Sequence, residues 1–472
     1  MNAQEFMFSP NCQEAYKCFM SMKINAGKQL LANELLTNKK NILPLVLINY
    51  EDFISLSFNE NPSEYKTRKL LLGKRLDIVE TGNKNSPYYL FSKALLFFQW
   101  SLIQIKYGDY WNAAWDFRKA YHLFKENKSK HPDFTPNNIY LGVQESVMST
   151  IPNGYKWASS ILGLKGNMSN GMLMLKNYNN SSDPLFKEES KLYYIYLKNY
   201  LENDIEGANQ LISTYQMDTK NNQLFVFMAS NLALNNKKAQ IAETILLKRN
   251  KSADYLSFPM LDYELGNAKM KKLDFSAIQY FQKFIQQNKG NFYIKDATYS
   301  IALCYYLQDD LKMANEYLTK VKIIGKTESD ADKQALKRAL KGVFPNKLLL
   351  KTRLLNDGGY NTEALKIATA ILPNTLKTDV EQLELIYRIG RIYDDLEQFD
   401  KALLYYNQTI ERGINSSEYF AARACLQAGY IYEKKGLFAK AKAYYNKELS
   451  LGEHDFKNSL DQRAKSSLNR LK

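Results

Sequence analysis

The stretch GRIYDDLEQFDKALLYYNQTI at 390–410 returns as GYIYEKKGLFAKAKAYYNKEL at 429–449, a step of 39 residues. Gly390, Tyr393, Phe399, Ala402 and Tyr406 thereby recur as Gly429, Tyr432, Phe438, Ala441 and Tyr445. Upstream, Ala302, Tyr305, Leu311, Ala314 and Leu318 keep the same internal spacing. A chain that repeats at such a step is built of stacked supersecondary units, because each unit leaves an apolar face that only its neighbour can cover. The unit itself has small residues where two antiparallel helices must approach closely. An aromatic at helical spacing fills the gap that remains.

Looser copies at 107–120, 273–285 and 358–372 each place an aromatic turn before a helix led by alanine. Apolar residues recur at helical spacing along almost the whole chain, and no stretch alternates in the manner of a strand. Gly and Pro are sparse, at 21 and 11 of 472 residues, while 45% of residues are hydrophobic, a mix suited to long helices. The expected fold is all-α, an α-solenoid of antiparallel helix pairs growing as a ribbon. Irregular repeats are expected over 1–250 and a more regular array over 251–472, joined without a Gly/Ser linker into one continuous solenoid.

These residues resemble the tetratricopeptide repeat, in which small residues join helix A to helix B above a lodged aromatic. In the N-terminal half, Gly142, Ser149, Pro152, Gly163, Gly166, Gly171 and Leu175 resemble a segment of the tetratricopeptide repeat protein 39 family, with Asn167 where an acidic residue is expected. That second resemblance implies a helical-repeat scaffold with no established enzyme activity and loose links to lipid handling.

The net charge of +15 favours acidic partners, although lysine is spread along the chain rather than gathered in one block. Abundant Tyr, Asn, Lys and Ile point to an AT-rich, bacterial genome. Cys12, Cys18, Cys304 and Cys425 are too few and scattered for a disulfide framework, and a helix would put Cys12 and Cys18 on different faces. No apolar leader follows Met1, so the compartment stays open: cell envelope or periplasm if a signal peptide preceded Met1, cytoplasm otherwise. The apolar run at 88–105 carries Lys93 and reads as a buried helix, not a membrane span.

No motif points to catalysis. GNMSNG at 166–171 resembles a nucleophile elbow but has the wrong spacing and no preceding strand. IGKT at 324–327 has Lys320 where a phosphate loop needs its first glycine, so Gly325 reads as a helix stop. His122, His131 and His454 show no metal-ligand spacing, and no metal or cofactor is expected. Asp309–Asp310 and Asp394–Asp395 read as turn or rim residues.

The surviving candidate is a surface. Helix A residues one position after the packing residues, and those a turn on, should face the inner groove of the solenoid. They are Tyr299 and Tyr306; Tyr387, Arg391 and Asp394; and Arg423, Tyr430, Glu433 and Lys434. Tyrosine and arginine combine contact area with directional hydrogen bonds, as binding hot spots do. The expected function is a non-enzymatic scaffold that binds a protein or peptide there. A lipid- or envelope-associated scaffold is the alternative and a nucleic-acid binder the third reading.

Overall fold

The computed structural model describes residues 4–150, 163 and 166–471. Pro152 of the second resemblance lies outside them. Among the described residues the secondary structure is helical, apart from two isolated bridges, Gln4 to Gly82 and Glu5 to Asn41. Successive helices pair antiparallel, from Pro10–Met20 with Ile24–Thr37, through the long pair Pro87–Lys106 and Tyr110–Lys130, to Phe420–Lys434 with Phe438–Leu449. The polar helix Lys457–Arg470 closes the stack.

The recurring residues pack as their pattern requires. Ala302, Ala314, Ala402 and Ala441 are all fully buried, as are Tyr406 and Tyr445. A Cβ on Gly390 would sit 3.0 Å from the Tyr406 ring, and one on Gly429 would sit 2.3 Å from the Tyr445 ring. The aromatic thus occupies the notch the glycine leaves. A second aromatic pair recurs with it: ring centroids lie 5.6 Å apart for Tyr305–Tyr317, 5.7 Å for Tyr393–Tyr405 and 5.4 Å for Tyr432–Tyr444. Each fully buried ring of the kind seen at Tyr406 and Tyr445 contributes on the order of 2–3 kcal/mol.

Glycine plays a closer part in the N-terminal half. The helices Asn137–Met148 and Met168–Asn180 cross where a Cβ on Gly171 would meet Ser146 Oγ at 2.3 Å and Gly142 O at 2.5 Å. The segment 166–171 is therefore a helix start, with Asn167 accepting from the Asn170 amide at 2.9 Å, and a tight crossing. Gly325, at φ +67°, follows the end of Leu311–Ile323 and stops that helix. Cys12 and Cys18 share the helix Pro10–Met20 and are both free thiols.

The array bends back on itself instead of extending as a simple ribbon. Met260–Lys271 packs directly against Lys347–Gly358, while Ile294–Leu307 and Asp330–Lys341 stack together to one side. Asp330–Lys341 then reaches the far end of the chain, where Lys337 Nζ lies 2.8 Å from Asp455 Oδ1. Lys106 Nζ sits over the Phe292 ring at 5.2 Å, a further tie between distant parts of the sequence. The bend arises at a junction of three repeats. Gly359, at φ +86°, lets the end of Lys347–Gly358 lie against the Lys237 backbone, and Lys237 Nζ bonds both Asn356 and Asp395.

Candidate partner-binding groove

The bend leaves a cavity of about 600 Å³ lined by residues of seven helices and by the turn that carries Lys237. Tyr299, Tyr387, Arg391 and Arg423 all line it. Tyr387 is held by packing on Phe420, with ring centroids 5.3 Å apart, and Tyr299 lies beneath the Arg338 guanidinium at 5.9 Å. Both residues are buried, at 3% and 4% exposure, so they back the cavity wall without projecting into it.

The other candidates are placed elsewhere. Tyr306 stacks on Phe344, with centroids 4.5 Å apart, and its hydroxyl donates to Pro345 O at 3.0 Å. Asp394 accepts from Tyr406 at 2.8 Å, and Glu433 accepts from Tyr445 at 2.7 Å, so both carboxylates tie helix A to helix B within their repeats. Asp395, read from sequence as a rim residue, instead joins the Lys237 junction. Tyr430, Glu433 and Lys434 border a separate shallow cleft with Phe438 and Arg470, and Lys434 Nζ pairs with Glu397 at 2.8 Å.

Charge distinguishes the main cavity. Eight cationic side chains line it, against the carboxylates of Asp296 and Asp357. Spacing alone brought only Arg391 and Arg423 into view; Arg388 stands three residues before Arg391 on the same helix, Lys237 lies in a turn, and Lys271, Arg338, Arg353 and Arg463 come from four further helices. Some of this charge is compensated. Arg388 forks onto Glu384 Oε1 at 3.1 and 3.0 Å, and Arg391 lies 3.9 Å from Asp395. Among the described residues, no carboxylate lies within ion-pair distance of Arg338, Arg353 or Arg423. Burial, then the repulsion of Arg338 and Arg388, depresses the proton affinity of Arg353 below that of an ordinary guanidinium. Burial alone would raise the Asp357 carboxyl, but Arg388, Lys237, Lys271 and Arg353 together hold it below the ordinary range. Burial pushes the Lys237 ammonium down to about 8. The cavity is thus a positive field with fixed, partly desolvated donors, the arrangement that recognises carboxylate or phosphate.

The helix Met260–Lys271, which contributes Asn267 and Lys271 to the cavity wall, also carries a buried acid away from the lining. Glu264, on Met260–Lys271, accepts from Asn231 at 2.9 Å and from the Ser230 hydroxyl, and burial pushes its carboxyl up to about 8. The folded chain keeps a proton there that the unfolded chain releases in the ordinary carboxylate range. Its stabilising share is therefore complete at pH below the unfolded value and is lost as pH rises through about 8. Replacing Glu264→Gln should flatten this dependence: between about pH 5 and about 8 the melting temperature of the native sequence falls by several degrees more than that of the variant, as read by circular dichroism. Parallel melting curves would show that Glu264 is ionised when folded. The Cys304 and Cys425 thiols, pushed up to about 12 by burial, are not nucleophiles near neutral pH.

Residues 383–412 and 422–451 each match the sequence model of the tetratricopeptide repeat, so the C-terminal array contains repeats of that kind. No curated protein matches the chain. Among solved structures, the chain is similar to the P58(IPK) TPR domain, at 13% identity, 89% coverage of this chain, 98% of that one and a TM-score of 0.22. It is similar to the apo form of the quorum sensor NprR from B. thuringiensis, at 13% identity, 85% and 97% coverage and a TM-score of 0.28. The Cut9–Hcn1 hetero-tetramer of the APC/C gives 12% identity, 97% and 88% coverage and a TM-score of 0.29. Likenesses of this order say nothing about what this chain binds.

Proposed function

We propose that this protein is a non-enzymatic helical-repeat scaffold whose cavity holds an acidic segment of a protein partner. The observation that carries the reading is the trio Arg338, Arg353 and Arg423, gathered on one cavity with no carboxylate within ion-pair distance of any of them among the described residues, Asp296 and Asp357 lying farther off. Holding like charges together, partly out of water, is unfavourable unless an anion completes the arrangement. The arginines supply directional, charge-assisted donors, while the buried Tyr299 and Tyr387 support the wall behind them. Kinship with the tetratricopeptide repeat protein 39 family belongs to this proposal as well. Its support is the close crossing made by Gly142 and Gly171, a packing feature that suggests no ligand. No helix among the described residues is long and apolar enough to cross a membrane.

Fluorescence anisotropy with a glutamate-rich peptide tests the reading. The native protein should bind it with an affinity that falls as salt rises. Arg353→Gln together with Arg423→Gln should weaken binding by at least about tenfold, since charge-assisted hydrogen bonds contribute about 1.5–3 kcal/mol each. Equal affinity in the folded double variant, or a preference for single-stranded DNA or for anionic vesicles over the peptide, would reject it.

A further inference from the structure

At the C-terminal end of the stack, three side chains that no sequence spacing connects come together. Glu448 ends the helix Phe438–Leu449, His454 lies in the link that follows, and Asp461 stands on the capping helix Lys457–Arg470. One ligand atom from each lies within 4.8 Å of the other two. Glu448 is fully buried, and among the described residues neither of its carboxylate oxygens has a hydrogen-bond partner. A buried carboxylate without donors costs several kcal/mol, on the order of the desolvation of an ion, unless it is protonated or meets a cation.

The histidine is oriented toward the same place. His454 Nδ1 lies 2.9 Å from the backbone oxygen of Asp455. A carbonyl can only accept, so Nδ1 carries a proton, and in the neutral imidazole the lone pair is then on Nε2. That Nε2 is buried and, among the described residues, unpartnered. Backbone anchoring of one imidazole nitrogen with the other left free is how metal-ligating histidines are set. Two cations already lie nearby, Lys457 and Lys465, and neither is within hydrogen-bond distance of a Glu448 oxygen; Lys457 Nζ lies instead 3.3 Å from Asp461 Oδ1 and 3.0 Å from Leu451 O. His454 also borders a cleft of about 250 Å³ with Gly452 and Leu451.

We propose that Glu448, His454 and Asp461 form a binding site for a divalent transition-metal ion, with zinc the best fit. One imidazole and two carboxylates, with a water as fourth ligand, suit zinc; calcium and magnesium ask for a fuller oxygen shell. Bonds of about 2.0–2.2 Å draw the three groups together by rotation of their side chains. The ion then joins the last helix pair to the helix that caps it, adding to the Arg470 fork on Glu433 at 2.8 and 2.9 Å. Because binding is confined to the folded chain, loading stabilises that end of the stack.

Chelator-treated full-length protein titrated with zinc chloride by calorimetry, and with cobalt(II) followed by visible absorption, tests the site. Expected are a single equivalent of zinc per chain, the intense visible bands of low-coordinate cobalt, and a rise in melting temperature on loading. His454→Gln and Asp461→Asn, on less buried positions than Glu448, should each weaken zinc by more than about tenfold while keeping the native circular dichroism spectrum. His122→Gln combined with His131→Gln should leave binding intact. Zinc bound no better by the native chain than by the His454→Gln chain would overturn the site. So would binding lost on removing His122 and His131, or a cobalt spectrum typical of the hydrated ion.

Discussion

Replacing Glu189→Ala should lower the stability of the N-terminal half by about 3–5 kcal/mol. Glu189 is 2% exposed and accepts hydrogen bonds from Tyr50 at 2.6 Å, Tyr140 at 2.9 Å and Tyr193 at 2.7 Å. Its own amide donates to Tyr16 at 3.2 Å. The tyrosines come from four helices, Pro10–Met20, Asn49–Asn59, Asn137–Met148 and Lys187–Tyr200, so one carboxylate fixes how the first helices sit on the later ones. Burial pushes that carboxyl up, and the hydroxyl donors only partly offset the effect. Removing it strands several hydroxyls in an aromatic core and opens a cavity. Urea unfolding monitored by tryptophan fluorescence should show a much earlier transition, and Glu189→Gln, which keeps one acceptor oxygen, should fall between. A midpoint for Glu189→Ala equal to that of the native chain would show that the tyrosines find other partners and that the cluster does not organise this half.

Gly359→Ala should be nearly as damaging, and more so than any exposed substitution in the C-terminal array. Gly359 sits at φ +86°, where a side chain costs roughly 1–2 kcal/mol. A Cβ there would also lie 1.9 Å from Lys237 O, a backbone atom that cannot rotate away. Gly342 supplies the control: it too has a positive φ, +69°, but nothing lies within 4 Å of its Cβ position. The expected loss is about 1 kcal/mol for Gly342→Ala and more than about 3 kcal/mol for Gly359→Ala, measured by thermal unfolding. Because Lys237 also bonds Asn356 and Asp395, the damaged junction should weaken acidic-peptide binding even below the unfolding range. Equal losses at the two glycines would mean the junction is loose and does not set the bend.

The repeat was plainly legible. Ala402 and Ala441 are buried because only a small side chain lets the paired helices touch, and such a local steric demand is written at a fixed spacing. The nine groove candidates fall in different places. Tyr299, Tyr387, Arg391 and Arg423 meet on one cavity, but Tyr306, Asp394 and Glu433 already satisfy partners within or between repeats, which spacing on one helix cannot reveal. Asp394 and Glu433 did carry a signal: each precedes its repeat's buried tyrosine at the same interval, so a carboxylate-to-tyrosine tie could have been read from the recurrence.

By itself the sequence determined the unit: helix pairs, their glycine and alanine notches, and the aromatic rings that fill them. Those features depend on residues a few turns apart and so leave a period in the chain. Only the tertiary structure decided where the stack bends, and with it which charges meet. Arg338, Arg353, Arg423 and Arg463 stand on four different helices, and Glu448, His454 and Asp461 on two helices and a link. Electrostatic fields and ligand sets act through space over several ångströms, whereas a repeat pattern records only contacts between neighbours.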